Sequence, residues 1–118
     1  MKSVSVVIPV YNNWAGCHQL LLDLYKCSLI EEVILVDDAS TEKGVRDGIA
    51  WWKSTKMLPI ELITMNENVG FSRASNVGLR SAVEDVVCLV STDVRVQGDV
   101  IELLQKLNPS EFIGGSLL

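Results

Sequence analysis

Residues 33–41 read VILVDDAST, four apolar residues that run straight into two adjacent carboxylates. Val33 to Val36 shows no polar alternation, which is the pattern of a strand buried on both faces of a parallel sheet. Asp37 and Asp38 are too costly to keep in such a core unpaired, so the chain leaves the core at this point. In open α/β sheets, ligands bind beyond the carboxyl ends of the strands. The acidic pair stands where a site would form.

Working outward, Val4–Val10 is a β-branched first strand, and Trp14–Cys27 carries Trp14, Cys17, Leu20, Leu21 and Leu24 at helical spacing. The second strand is Glu32–Val36. A second helix spans Lys43–Thr55, with Val45, Ile49 and Trp52 on one stripe. Pro59 introduces a third strand, Ile60–Met65. After the polar NENVG loop, Ser72 is placed to cap a helix of Arg73–Val83. A fourth strand, Val86–Val90, precedes a helix over Asp99–Leu107 and a fifth strand from Phe112 onward. Alternation of β and α over the whole chain predicts a three-layer α/β/α fold on a mostly parallel sheet, in one domain of residues 1–118.

Composition narrows the function. A chain of 118 residues with 48% hydrophobic content builds a core without staples. The net charge of −5 argues against nucleic acid or an anionic membrane surface as partner. No apolar run reaches the length of about 18 residues that spans a bilayer. Cys17, Cys27 and Cys88 are odd in number and lack metal-ligand spacing, so reduced thiols and a cytoplasmic location are expected. His18 reads as an ordinary helix-surface residue.

In a parallel sheet all carboxyl ends share one edge. That edge collects Pro9, Tyr11 and Asn12, then Asp37, Asp38 and Ser40, then Asn66, Asn68 and Gly70, and lastly Ser91, Thr92 and Asp93. Every exit is polar and three carboxylates gather on it. The competing account is a set of solvated turns, with Asp-Ala-Ser-Thr serving only as a helix cap.

The ordered set VSVVIPVYN, EVILVDDAST, NENVGFSRASNVG and VVCLVSTDV closely resembles the nucleotide-binding half of family-2 glycosyltransferases, which have the Rossmann-like GT-A fold. The resemblance covers essentially the whole chain. It implies that Pro9 and Tyr11 line the base and ribose of a nucleotide-sugar donor, usually linked to uridine diphosphate. It implies that Asp38 accepts a hydrogen bond from the base. Asp37 is grouped with the donor-binding residues, with a structural role open to it. Asn68, Gly70, Arg73 and Asn76 fall in the motif that passes close to the donor. Gly70 would permit backbone approach and Arg73 would meet diphosphate or sugar oxygens. Gly78, inside the helix, costs about 1 kcal/mol relative to Ala, which suggests tight packing on the sheet. Asp93 matches the ligand of a divalent metal, Mn²⁺ or Mg²⁺, while Thr92 stands where the family commonly has an acid. Such a hard cation needs few protein ligands once diphosphate and water complete its shell.

The resemblance further implies inversion at the anomeric carbon, with a carboxylate base activating the acceptor hydroxyl. No residue here matches that base, so the chain is expected to be a truncated donor-binding part, inactive alone and prone to self-association through an uncovered strand edge. The acceptor, carbohydrate or glycolipid, stays open. A receiver domain would place its acidic pair after the first strand, and a dinucleotide-binding oxidoreductase would need Gly-x-Gly-x-x-Gly there. PVYNNWAG supplies neither. A purely structural or interaction domain would keep the fold and abandon the site.

Overall fold

The computed structural model describes residues 3–27 and 30–96. The elements are β1 (Val4–Val10), α1 (Trp14–Tyr25), β2 (Ile30–Asp37), α2 (Lys43–Thr55), β3 (Ile60–Thr64), α3 (Phe71–Ser81) and β4 (Val86–Leu89). The expected helix over Asp99–Leu107 and the strand from Phe112 lie outside the described residues.

The four strands form a parallel sheet in the order β3-β2-β1-β4. Successive side chains of a strand point to opposite faces, and the two central strands bury both. Val6, Ile8 and Val10 of β1, with Val33 and Leu35 of β2, join Leu20, Leu21, Val45, Ile49 and Trp52 in one cluster. Val7, Ile34 and Val36 join Ala74 of α3 in the other. Helices α1 and α2 therefore cover one face and α3 the other, which is the expected three-layer architecture.

Pro9 decides where the sheet opens. The β1–β4 ladder ends at the Val7–Leu89 pair, with the Val90 N–H on the Val7 carbonyl at 2.9 Å. Pro9 has Val7's parity in the strand and no N–H with which to continue on that side. Pairing with β2 goes on to Val10–Asp37, so β1 separates from β4 first.

Several boundaries differ from the sequence reading. Helix α1 stops at Tyr25 rather than Cys27, and the Lys26 N–H turns back onto the carbonyls of Asp23 and Leu24. Strand β2 is longer at both ends. Ile30 pairs with Val4, and the Glu32 side chain is satisfied by the buried Ser5 hydroxyl at 2.7 Å. Asp37 keeps its backbone in the ladder, its carbonyl accepting from Met65 N–H. Helix α3 begins at Phe71, so Ser72 lies inside it and does not cap it; the N-cap is Gly70. His18 is not a free surface residue either. Its Nδ1 accepts from buried Trp52 Nε1–H at 2.9 Å, and its ring lies 5.5 Å from that of Trp14. Gly78 packs as expected: a Cβ there would lie 2.4 Å from Val7 Cγ1.

Candidate functional site

A cleft of about 340 Å³ opens at the carboxyl edge of the sheet. Pro9, Val10 and Tyr11 line it from the end of β1, Asp38 from the end of β2, and Asn68, Gly70 and Phe71 from the turn into α3. Two aromatic rings, Tyr11 and Phe71, are about half exposed at this cleft. Exposed aromatics at one concavity give a planar ring surfaces to stack on.

Asp38 organises the turn. It is buried, its Oδ1 accepts from Val69 N–H at 2.8 Å, and its Oδ2 accepts from Gly70 N–H at 2.9 Å. Its carbonyl accepts from Asn68 Nδ2 at 3.2 Å. The carboxylate thus fixes the chain just ahead of α3, a task that the sequence reading did not give it. Two such bonds leave lone pairs free, since an ionised carboxylate offers about four acceptor positions. Gly70 has φ +92°, and a Cβ on it would meet nothing within 4 Å. Glycine is needed there for backbone conformation, not for space within the chain.

Asp37 does something different. Its Oδ1 accepts from Ser40 N–H at 3.0 Å and closes the turn through Ala39, whose φ is +59°. Helix α2 receives no cap from this turn: its N-cap residue, Glu42, makes no side-chain capping bond. Asn12 instead holds the segment just ahead of α2 from β1's exit, its Oδ1 accepting from Thr41 N–H at 2.8 Å and Glu42 N–H at 3.0 Å. Asn12 N–H in turn donates to Ser40 Oγ at 2.8 Å.

Asn13 continues the pattern toward β4. Its side-chain oxygen accepts from Gly16 N–H, capping α1, while its Nδ2 donates to Thr92 Oγ1 at 3.3 Å and to Asp93 Oδ1 at 3.4 Å. Asn12 and Asn13 both adopt left-handed backbone angles, φ 54° and 51°, which asparagine tolerates better than most residues. The three residues Tyr11-Asn12-Asn13 therefore connect the cleft, the acidic turn after β2 and the Asp93 turn after β4.

Of the residues singled out in the sequence, Pro9, Tyr11, Asp38, Asn68 and Gly70 meet in the cleft. Asp37, grouped with the donor-binding residues, is buried and does not line the cleft. Thr92 and Asp93 stand at the neighbouring exit, with Asp93 exposed. Arg73 and Asn76 are exposed on α3 and do not line the cleft. Phe71 and Asn13 were missed. An aromatic residue directly after the glycine that starts a helix was the available signal for Phe71; nothing local marked Asn13.

Burial pushes the Cys17 and Cys88 thiols up to about 12, with Asp37 adding to the effect at Cys17, so neither is a thiolate nucleophile at neutral pH. Among the described residues no group of three or more His, Cys, Asp or Glu side chains forms a metal cage. The exposed Asp93 carboxylate, steered by an amide and free to offer oxygen, suits a hard cation whose other ligands come from a phosphate and water.

A family model described as Glycosyl transferase family 2 matches residues 5–109. The chain belongs to that family. Among its relatives is an undecaprenyl-phosphate 4-deoxy-4-formamido-L-arabinose transferase of Pectobacterium carotovorum subsp. carotovorum, 34% identical over 99 residues, which are 80% of this chain and 30% of that protein. An uncharacterized glycosyltransferase of Haemophilus influenzae is 30% identical over 103 residues, 86% of this chain and 40% of that one. The chain thus spans well under half the length of these relatives. In structure it is similar to a mannosyltransferase from Pyrobaculum calidifontis in complex with GDP-Man and Mn²⁺, with a TM-score of 0.80, 26% identity and coverage of 92% of this chain and 33% of that one. It is also similar to S. aureus TarS in complex with UDP-GlcNAc, with a TM-score of 0.74, 26% identity and coverage of 85% and 29%. The fold is GT-A. No helix among the described residues is long and apolar enough to cross a membrane.

Proposed function

We propose that this family-2 chain is the donor-binding part of an inverting glycosyltransferase and holds a nucleoside-diphosphate sugar, with uridine diphosphate as the nucleotide. The observation that carries the reading is the continuity of the cleft with the Asp93 turn through Tyr11-Asn12-Asn13. The base lies in the cleft against Tyr11 and Phe71. The remaining acceptor positions of Asp38 take the imide N–H of a pyrimidine, and a ring without that donor would leave a buried carboxylate less well paired. Asn68 and Gly70 line the same cleft as Pro9.

Asp93 would hold Mn²⁺ or Mg²⁺, with Thr92 contributing at most a hydroxyl. A cation held there would supply charge stabilisation for the leaving diphosphate. The protein's own part is to fix the carboxylate through Asn13 and to hold the nucleotide so that the diphosphate reaches it. Arg73 and Asn76, exposed on α3, would face the sugar or diphosphate only from outside the cleft. The partners are the nucleotide sugar and an acceptor hydroxyl.

Calorimetric titration of UDP and GDP, each with Mn²⁺ or with chelator, tests the reading. Tighter binding of UDP than GDP, strengthened by Mn²⁺, is expected. Preference for GDP would move the assignment to the nucleotide carried by the P. calidifontis enzyme, and absence of binding by either would remove the donor site.

A further inference from the structure

One buried carboxylate has no place in the donor cleft. Asp23, near the carboxyl end of α1, is only 4% exposed, yet four donors converge on it. Arg95 Nε reaches Oδ2 at 2.6 Å and Nη2 reaches Oδ1 at 2.8 Å, a two-pronged contact. Val96 N–H donates to Oδ2 at 3.2 Å, and Gln19 Nε2 to Oδ1 at 3.3 Å. Arg95 itself is 66% exposed. Burying a carboxylate to meet a largely solvated arginine is a poor way to gain stability, because desolvation offsets most of the attraction. Such a pair fixes geometry better than it adds energy.

The geometry it fixes is the turn that carries Asp93. That turn closes on itself with Val94 N–H on the Ser91 carbonyl at 3.1 Å. Its near end is held by Asn13, at the start of α1, through Thr92 and Asp93. Its far end is held by Asp23, at the other end of the same helix, through Arg95 and Val96. A helix of 12 residues is a rigid template, and Cys17, Leu20, Leu21 and Leu24 lock it into the core. Gly16 allows the close fit, since a Cβ there would lie 2.6 Å from the Thr92 carbonyl oxygen.

We propose that Asp23 is a positioning residue for the cation site: by gripping Arg95 and Val96 it holds the Asp93 carboxylate in the direction that a divalent cation requires. The inference rests on the reading of Asp93 as the cation ligand. Outer partners bonded directly to a ligand, as Asn13 is to Asp93, are worth about 10–100-fold in metal affinity, and Asp23 acts one step further out. Asp23 acts through Arg95, which lies two residues beyond Asp93, and it touches neither nucleotide nor cation. Lysine at position 95 would keep a positive charge but lose the planar fork.

The test compares the wild-type chain with Asp23→Asn and Arg95→Lys. Mn²⁺ binding in the presence of saturating UDP is followed by electron paramagnetic resonance, and UDP affinity in chelator is measured alongside. The expected result is a fall of about 10-fold, the low end of that range, in Mn²⁺ affinity for both variants, with chelator-state UDP affinity and cooperative unfolding retained. Should Asp23→Asn fail to fold, Arg95→Lys at the exposed partner decides alone. Wild-type Mn²⁺ affinity in folded variants would overturn the inference while leaving the donor site standing. A parallel loss of Mn²⁺ and chelator-state UDP binding would also overturn it, because that marks general damage. A wild-type chain that binds UDP but no Mn²⁺ would instead refute the role of Asp93, and with it that of Asp23.

Discussion

Asp38 and Gly70 meet across 2.9 Å, the carboxylate of one accepting from the backbone N–H of the other, 32 residues further along the chain. Together with the Val69 contact this bond sets the start of α3, so the wall of the cleft is built by the same side chain proposed to read the base. Structure and recognition are joined in one carboxylate. Replacing it has two readouts.

Asp38→Ala is expected to lower stability by about 1.5–3 kcal/mol, the usual worth of hydrogen bonds to a charged group, and to weaken UDP binding more than Asp37→Ala does. Urea denaturation and nucleotide titration on both variants check this. Equal binding in the two folded variants would reverse the assignment of the acids.

The two glycines of the third motif should respond to alanine for opposite reasons. Gly70→Ala meets no atom but must hold φ +92°, which costs about 1–3 kcal/mol of backbone strain. Gly78→Ala gains helix propensity but drives a methyl into Val7, and overpacking of that kind costs about 1–3 kcal/mol. Thermal melts should show both destabilised; a stabilised Gly78→Ala would mean that α3 lifts from the sheet at little cost.

How much of this was legible in the sequence follows from what each residue signals. The apolar runs of β1 and β2 and the stripes of α1 and α2 were clear, because burial imposes its period directly. The glycine in α3 also announced its packing. Ser72 misled, because a hydroxyl near a helix start resembles a cap, whereas the amides ahead of α3 are taken by Asp38, just past the end of β2. His18 misled for a similar reason: its partner, Trp52, lies on a different helix. Asn12, Asn13 and Asp23 act through residues 28 to 80 positions away, and no local pattern records such pairings. The strand-end edge was readable; the side chains that stitch it together were not.

His18→Ala should leave the Trp52 N–H without its acceptor inside the α1–α2 contact. An unsatisfied buried donor costs about 1–3 kcal/mol, and tryptophan fluorescence should report the change in the same sample. An unchanged melting temperature would show that water replaces the imidazole.

Acid should weaken the chain partly through Asp23. The hydrogen bonds from Arg95 hold its carboxyl below the usual carboxylate range, against the opposing effect of burial. A group with a depressed folded pKa binds fewer protons folded than unfolded, so its stabilisation is complete above the unfolded value of about 3.9 and fades as pH falls through the lower folded value. Denaturation from neutral pH down to the acid limit should therefore show a shallower loss below about pH 4 in Asp23→Asn than in the wild type. Identical acid limbs would remove Asp23 from that role.

In the proposed complex one nucleoside diphosphate reaches from the Tyr11–Phe71 cleft to Asp93. Amide correlation spectra of the chain, recorded with UDP and then with trace Mn²⁺, test it most directly. UDP is expected to shift the amides of Tyr11, Gly70 and Phe71, and paramagnetic broadening is then expected first on Asn13, Thr92 and Asp93. Broadening centred elsewhere, such as the groove lined by Glu31, Glu32, Lys53 and Lys56, or UDP shifts that spare the cleft, would contradict it.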